Sequence, residues 1–167
     1  NREGITFAIS PLSFYQVNPV QTEKLYSLAL EYAGLTGEET VWDLYCGIGT
    51  ISLFMAQRAK QVYGVEIIPQ AIDDARANAK INGVKNIQFY QNDAGKFMVQ
   101  MASQEGKGAI DVVFMDPPRA GSDKKFLSCA VSLSPDRIVY ISCNPETLRR
   151  DVDILAKKGY KLTRVQP

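Results

Sequence analysis

Short apolar runs alternate with amphipathic segments along most of the chain. The clearest change lies at residues 41–51, VWDLYCGIGTI, where an apolar run ends and two glycines follow. This pattern predicts a buried strand that turns sharply into a helix opened by Thr50. Other apolar runs predict strands at 5–9, 61–66, 87–91, 110–115 and 137–142, with a last strand from Tyr160. Helical spacing and end signals predict helices at 19–33, 51–59, 69–82, 93–103 and 145–158.

This alternation of strands and helices predicts the fold class. We expect an α/β fold with a mostly parallel sheet, helices on both faces and right-handed crossovers. The 167 residues, 46% of them apolar, are enough for one domain with a real core. No linker, repeat or low-complexity tract divides them. In such a sheet, ligands bind in the crevice outside the carboxyl ends of the strands.

The cysteine and histidine content disfavours several kinds of site. The three cysteines are an odd number without metal-ligand spacing, and the chain has no histidine. Disulfides, zinc sites and His-based triads are therefore not expected, and we expect no metal. No apolar run approaches the roughly 18 residues of a membrane span, and the first residues, NREGITFAIS, lack a signal-peptide pattern. The expected location is the cytoplasm, with no membrane partner.

A first group of residues has the arrangement of a nucleotide site. Gly47 and Gly49 follow the first strand of the βα pattern, Glu66 ends the next, and Asp93 comes just after the third. Glu66 lies 17 residues after Gly49, close to the roughly 20 at which an acid reaches ribose hydroxyls in dinucleotide folds. Ser52 stands where GxGxxG has its third glycine, so a nicotinamide enzyme is not favoured. Alternatively, the two acids are ordinary strand-end carboxylates in water.

A second group follows the fourth and fifth strands, in DPPRAG (116–121) and SCNP (142–145). Two prolines after an apolar strand fix the backbone and hold Asp116 at the edge of the sheet. Cys143 comes just before a helix with Asn144 as its expected N-cap. The positive end of the helix dipole there favours the nucleophilic thiolate. A buried structural cysteine is the alternative, and we prefer it for Cys46 and Cys129.

Charge is unevenly distributed along the chain. Residues 1–118 carry 9 Lys and Arg against 13 Asp and Glu, whereas residues 119–167 carry 10 against 5. The net charges are therefore −4 and +5, and the basic part includes Arg119, Arg149 and Arg150 near the second group. A basic surface at this place suits a polyanion such as RNA. Alternatively, these charges belong to solvated helix faces.

Five motifs in order resemble one family, the uracil-5 RNA methyltransferases, which make 5-methyluridine in tRNA or ribosomal RNA with S-adenosylmethionine. The motifs are FYQVN (14–18), DLYCGIGT (43–50), VYGVE (62–66), DPPRAG (116–121) and SCNP (142–145). The resemblance implies the Rossmann-like fold of class I S-adenosylmethionine-dependent methyltransferases, with the last antiparallel strand missing. It also implies that residues 1–167 are the catalytic domain of a longer enzyme. Family members have an RNA-binding domain upstream and a glutamate base downstream, neither of which this sequence contains.

The resemblance also implies roles for single residues. Glu66 would bind the cofactor ribose, Asp93 would lie near the adenine, and Asp116 would complete the pocket and reach toward the target base. Cys143 would be the nucleophile, because attack of a thiolate at carbon 6 of uracil makes carbon 5 nucleophilic enough to accept a methyl group. The target base would have to leave its stack to reach the site. The implied catalytic residues are Cys143 and Asp116, and the implied cofactor-binding residues are Gln16, Tyr45, Gly47, Gly49, Thr50, Glu66, Asp93 and Asp116.

Two other classes of function remain open. A methyltransferase that acts on an exocyclic amine would use the proline-containing loop without a cysteine, so loss of Cys143 would leave it active. A non-catalytic nucleotide- or RNA-binding module would bind its ligand without a covalent adduct.

Overall fold

The computed structural model describes residues 4–8 and 19–167. Eleven elements alternate along these residues. The helices are α1 (Pro19–Ala33), α2 (Thr50–Ala56), α3 (Pro69–Ile81), α4 (Ala94–Gln104), α5 (Lys124–Ser132) and α6 (Pro145–Lys157). The strands are β1 (Thr40–Leu44), β2 (Gln61–Glu66), β3 (Ile87–Gln91), β4 (Val112–Met115) and β5 (Arg137–Tyr140).

The five strands form one parallel sheet in the order β3-β2-β1-β4-β5. β1 lies at its centre, and the order reverses there, so the crevice between the ends of β1 and β4 is where such sheets bind ligands. The α/β fold with a parallel sheet is the one that the sequence predicts. No described helix is long and apolar enough to cross a membrane.

Alternating side chains of β1 pack on opposite faces of the sheet. Trp42 and Leu44 join one buried cluster with residues of α4 and α5, including Phe97. Val41 joins another cluster with residues of α1 and α2, including Leu30. Burial on both faces explains why the strand reads as an almost continuous apolar run. The sheet is therefore a rigid support for the loops at its carboxyl edge.

Most predicted element bounds agree with the structure, and β2 and β3 agree at both ends. Helix α2 is shorter than predicted and ends at Ala56. The chain then turns into β2, and the backbone amide of Lys60 donates to Glu39 O at 2.9 Å. No bounds were predicted for α5. In the sequence, the start of α5 is marked by its N-cap residue, Asp123, whose side chain accepts a hydrogen bond from the amide of Phe126.

Two predicted strands are wrong. The described part of 5–9 is not a strand, because the amide of Ala8 donates to the side chain of Asn78 on α3 and the amide of Thr6 donates to the side chain of Asn82, the C-cap of α3. Residues 160–167 form no strand either, and Arg164 in this segment pairs with Glu31 on α1. Ile5 in the first segment is buried, whereas residues 161–167 are exposed, so the apolar pattern indicated burial in only one of the two. A strand also needs a neighbouring backbone to bond with. Neither segment pairs with the sheet.

Candidate active site

The turn after β1 has an unusual backbone. Tyr45, Gly47 and Gly49 have positive φ angles of 71°, 54° and 80°. A tyrosine in this conformation is strained, and such strain is most often found at functional sites. The amides of Tyr45 and Cys46 both donate to Val65 O at 2.9 Å, which fixes the turn to β2.

The two glycines of this turn have different surroundings. A Cβ at Gly49 would lie 2.8 Å from the ring of Phe89, so this position is closed by packing. A Cβ at Gly47 would meet no atom within 4 Å. Gly47 therefore lies beside open space, where a ligand can approach the backbone closely.

Glu66, at the end of β2, is bonded to the same turn. One carboxylate oxygen accepts from the amide of Gly47 at 3.1 Å, and the other accepts from the amides of Ile67 and Ile68 at 2.8 and 3.1 Å. Asp93, after β3, is the N-cap of α4, and its side chain accepts from the amide of Lys96 at 2.9 Å. Both carboxylates are half-buried and held in place at the carboxyl edge of the sheet.

A cavity of about 90 Å³ lies between this turn and the end of β4. Four of its lining residues are predicted site residues: Tyr45, Gly47, Thr50 and Asp116. The lining residues that the sequence did not predict as site residues are Tyr26, Asp43, Cys46, Ile48, Ile51 and Phe114. An open groove of about 640 Å³ lies elsewhere, between α3 and β3, and contains none of the predicted site residues. The smaller cavity is therefore the candidate site.

Two acids of this cavity hold protons unusually strongly. Burial raises the pKa of Asp116 to about 6. For Asp43, burial, with the nearby charges of Asp116 and Glu66, raises the pKa to about 7, although a hydrogen bond from Ser52 opposes the shift. In the sequence, the only signal of this burial is the position of Asp43 inside an apolar strand. Perturbed acids lining a cavity are typical of a functional site.

Cys143 is exposed and lies between the end of β5 and the start of α6. The Ser142 hydroxyl donates to Asn144 O at 2.9 Å and accepts from the Asn144 amide at 3.0 Å, which shapes the turn around the cysteine. The Asn144 side chain accepts from the amide of Glu146, and α6 begins at Pro145, as predicted. Cys143 thus stands immediately before the positive end of a helix.

Hydrogen bonds join the two predicted motifs, DPPRAG (116–121) and SCNP (142–145). Arg119 O accepts from the side-chain amide (Nδ2) of Asn144 at 3.3 Å and from the Thr147 hydroxyl at 3.2 Å. The loop that contains Asp116 therefore lies against the turn that contains Cys143. Asp116 lines the cavity, whereas Cys143 does not.

The other predicted residues and cysteines are placed as follows. Cys46 is buried, burial raises the pKa of its thiol, and Cys129 is half-buried on α5. Arg150 forms an ion pair with Asp151 and so adds less positive charge near Cys143 than the sequence suggests. Gln16 lies outside the described residues.

Known proteins match the chain over almost its full length. The profile of a family described as tRNA (uracil-5-)-methyltransferase matches residues 2–166. An uncharacterized RNA methyltransferase of Halalkalibacterium halodurans is 56% identical over 163 residues, and one of Lactiplantibacillus plantarum is 58% identical over 165 residues. Each match covers 98% of this chain, but only 35% and 36% of the two relatives. The chain therefore spans about a third of their length.

A solved structure is also similar to the chain. It is the tRNA (uracil-54, C5)-methyltransferase of Pyrococcus abyssi in complex with S-adenosyl-L-homocysteine. The TM-score is 0.75 and the sequence identity is 35%, over 89% of this chain and 35% of that one.

Proposed function

Since the chain belongs to the tRNA (uracil-5-)-methyltransferase family, we propose that it transfers a methyl group from S-adenosylmethionine to carbon 5 of a uridine in tRNA or ribosomal RNA. Its fold is the Rossmann-like fold of S-adenosylmethionine-dependent methyltransferases. We propose further that these 167 residues are the catalytic domain of a longer enzyme. RNA as substrate, and three cysteines without a disulfide, fit the reducing environment of the cytoplasm.

The residues around the turn after β1 fit this cofactor. Open space beside Gly47 leaves room for a ligand against the backbone. Glu66 is fixed by three backbone amides, and Oε2, which accepts from only one of them, has acceptor capacity left for a ribose hydroxyl. The proposed cofactor-binding residues are Gln16, Tyr45, Gly47, Gly49, Thr50, Glu66, Asp93 and Asp116, of which Gly49 would act by shaping the turn, since its position is closed by packing. When bound, S-adenosylmethionine supplies an electrophilic methyl group.

Cys143 is the proposed nucleophile. Its thiolate adds to carbon 6 of the uracil, and the electron pair of the C5–C6 double bond moves to form an enolate. Carbon 5 is then nucleophilic enough to accept the methyl group. Loss of the C5 proton to a base restores the double bond and expels the thiolate. The exposure of Cys143 and its position before α6 support this role.

Asp116 is the proposed contact to the target base. It lines the cavity, and its loop is bonded to the turn that carries Cys143. With a pKa raised by burial to about 6, Asp116 is mostly ionised at neutral pH and accepts a hydrogen bond. On its Watson–Crick edge, uracil presents an N3–H donor, whereas N3 of cytosine is an acceptor. An ionised Asp116, which can only accept, therefore favours uracil.

One observation carries the proposal more than any other: the Asp116 loop and the Cys143 turn, two separate motifs, are bonded together at the edge of a cavity. This contact supports the proposal that Asp116 and Cys143 act on one bound nucleotide. A methyltransferase for exocyclic amines would need only the first of the two motifs.

A covalent trap tests this function. The chain, S-adenosylmethionine and an RNA containing 5-fluorouridine are incubated, because fluorine cannot leave as a proton does and the adduct persists. We expect a covalent complex, located at Cys143 by mass spectrometry, that is lost in Cys143→Ala and retained in Cys129→Ala. Binding of S-adenosylhomocysteine, measured by calorimetry, should be unchanged in both variants.

An adduct that persists in Cys143→Ala would contradict Cys143 as the nucleophile. Methylation of an exocyclic amine by Cys143→Ala would favour the other class of methyltransferase. Absence of an adduct in a wild-type chain that binds S-adenosylhomocysteine and RNA would contradict the uracil-5 reaction.

A further inference from the structure

Asp151 is fully buried at the middle of α6, although it carries a carboxylate. One of its oxygens accepts from the amide of Ser122 and from the hydroxyl of Tyr140, both at 2.7 Å. The other accepts from Nε of Arg150 at 2.8 Å. Burial and the hydrogen bond to Asp151 raise the pKa of Tyr140, so this phenol remains a donor. Asp151 therefore joins three parts of the chain: the loop after β4, the end of β5, and α6.

Arg150 extends the same network to the loop. Its Nη2 donates to Ala120 O and to Ser122 O, each at 3.0 Å. The backbone on both sides of Gly121 is thus bonded to one guanidinium group, and Asp151 orients that group. The whole loop end is held by directional, charge-assisted hydrogen bonds.

Gly121 shows how closely the loop approaches the helix. Its φ is 74°, and a Cβ there would lie 2.7 Å from both Nη2 of Arg150 and Oδ2 of Asp151. The same Cβ would lie 3.0 Å from Cβ of Thr147. Loop and helix are therefore as close as a glycine allows, and a side chain at this position would separate them.

The network connects to the two proposed catalytic residues along short stretches of chain. Ser122 comes six residues after Asp116, in a loop that two prolines stiffen. Tyr140 ends β5 and comes three residues before Cys143. Asp151 thus holds the loop of one catalytic residue and the strand that leads to the other.

We propose that Asp151 is a positioning residue: its buried carboxylate fixes the Asp116 loop relative to the Cys143 turn, so that both meet the same target base. This inference rests on the proposed function. A buried ion pair is weak evidence for a stabilising role, because desolvation offsets much of its attraction. Its directional bonds do fix geometry, and a displacement of about 1 Å can slow a reaction about 100-fold.

Asp151→Asn is the variant that tests this role. Asparagine keeps the volume of aspartate but has one oxygen, so it cannot accept both from Arg150 and from the pair Ser122 and Tyr140. The matched control is Asp153→Asn, which removes the same charge from an exposed residue of the same helix. The measurements are the rate constant of adduct formation with 5-fluorouridine RNA and the dissociation constant of S-adenosylhomocysteine.

For Asp151→Asn we expect the rate constant at saturating RNA and cofactor to fall about 10-fold to 100-fold. The dissociation constant should stay within about 2-fold of the wild type, because the hydrogen bonds of Asp151 go to Ser122, Tyr140 and Arg150, and the turn after β1 meets this network only through the side chains of Tyr45 and Ser122. The rate at which iodoacetamide alkylates Cys143 should also be unchanged, because Asp151 places the thiol without activating it. Asp153→Asn should match the wild type in all three measurements.

Two outcomes would overturn the inference. One is an unchanged adduct rate in Asp151→Asn. The other is weaker cofactor binding together with slower adduct formation, which indicates general loss of structure. Should Asp151→Asn fail to fold, Tyr140→Phe replaces it, with an expected fall in rate of about 3-fold and the same criteria. A wild-type chain that forms no adduct contradicts the proposed function instead, so the two failures are distinguishable.

Discussion

At the scale of single residues, Gly47 and Gly49 are two residues apart in one turn and both have positive φ. Replacement by alanine should affect them differently. Gly49→Ala places a methyl group 2.8 Å from Phe89 and should lower the free energy of unfolding by about 2 to 4 kcal/mol, from strain and overpacking together. Gly47→Ala should cost only the backbone strain, about 1 to 2 kcal/mol.

Cofactor affinity should rank these two variants in the opposite order. The methyl group of Gly47→Ala enters the space that we assign to the cofactor, so the affinity for S-adenosylhomocysteine should fall about 10-fold or more at a temperature where the variant is folded. Urea unfolding and calorimetry measure the two effects. Equal cofactor affinity in Gly47→Ala and the wild type would contradict the assignment of this space.

Asp43 gives a prediction on pH. Because burial raises its pKa from 3.8 to about 7, the folded state binds the proton more tightly than the unfolded state does. The resulting stabilisation is fully present below about pH 4 and is lost as pH rises through about 7. Asp43→Asn stays neutral, so its stability relative to the wild type should rise between pH 4 and pH 8, by on the order of 4 kcal/mol.

Urea unfolding of both proteins at several pH values measures this difference. Ser52 can still donate to the asparagine oxygen, so the variant keeps that hydrogen bond. A stability difference that does not change with pH would show that Asp43 titrates normally.

At the scale of elements, α3 holds the segment at residues 4–8. Asn78, fully buried, accepts from the Ala8 amide at 2.7 Å and donates to Ile48 O at 3.3 Å. Asn78→Ala leaves both groups without this partner, so we expect a loss of about 1 to 3 kcal/mol in the free energy of unfolding. Hydrogen exchange at Ala8 should become faster, and exchange in β1 should change only by the global loss.

The control for this prediction is Gln70→Ala, at an exposed position of the same helix. It should leave exchange at Ala8 unchanged. Slow exchange at Ala8 in Asn78→Ala would mean that other contacts, such as the burial of Ile5, hold the segment.

Helix α3 also shows why one predicted strand failed. Residues 5–9 have a strand-like pattern, but the side chains of Asn78 and Asn82 supply the backbone partners that a neighbouring strand would give. Each strand that was predicted correctly has a neighbouring strand whose backbone it pairs with. Sequence pattern identifies a segment to be buried, whereas the packing of other elements determines what its backbone bonds with.

At the scale of the whole molecule, the basic part of the chain contributes two exposed arginines close in sequence to the proposed catalytic residues. Arg119 and Arg149 are exposed and belong to the loop and helix of the proposed catalytic residues. For Arg119→Ala and Arg149→Ala we expect RNA affinity to fall about 3-fold to 10-fold each. The slope of log affinity against log salt should become smaller by about 0.7 to 1 per residue, since one phosphate contact is lost.

Fluorescence anisotropy with labelled RNA at several KCl concentrations measures both quantities. The control is Lys60→Ala. Lys60 is exposed and precedes β2, so it lies at the amino ends of the strands, opposite the carboxyl ends that form the candidate site. An equal effect of all three substitutions would indicate attraction by net charge and not a binding surface.

Much of the molecule could be predicted from the sequence because its information is local. Glycines mark the turn after β1, Asn144 and Pro145 mark the start of α6, and apolar runs mark the strands. The α/β class follows from their alternation, and the family follows from its motifs. Asp151 could not be identified in this way, because its partners Ser122 and Tyr140 are 29 and 11 residues away.

The sequence by itself therefore determined the class of fold, the family, and which residues carry reactive groups. Each of these depends on residue type and short spacing. Tertiary structure alone decided which groups share one environment: that Asp43 and Asp116 line one cavity, that Gly47 is open while Gly49 is closed, and that Asp151 joins loop, strand and helix. The physical reason is that burial, pKa and hydrogen bonding depend on neighbours in space, and the sheet brings these together from distant parts of the chain.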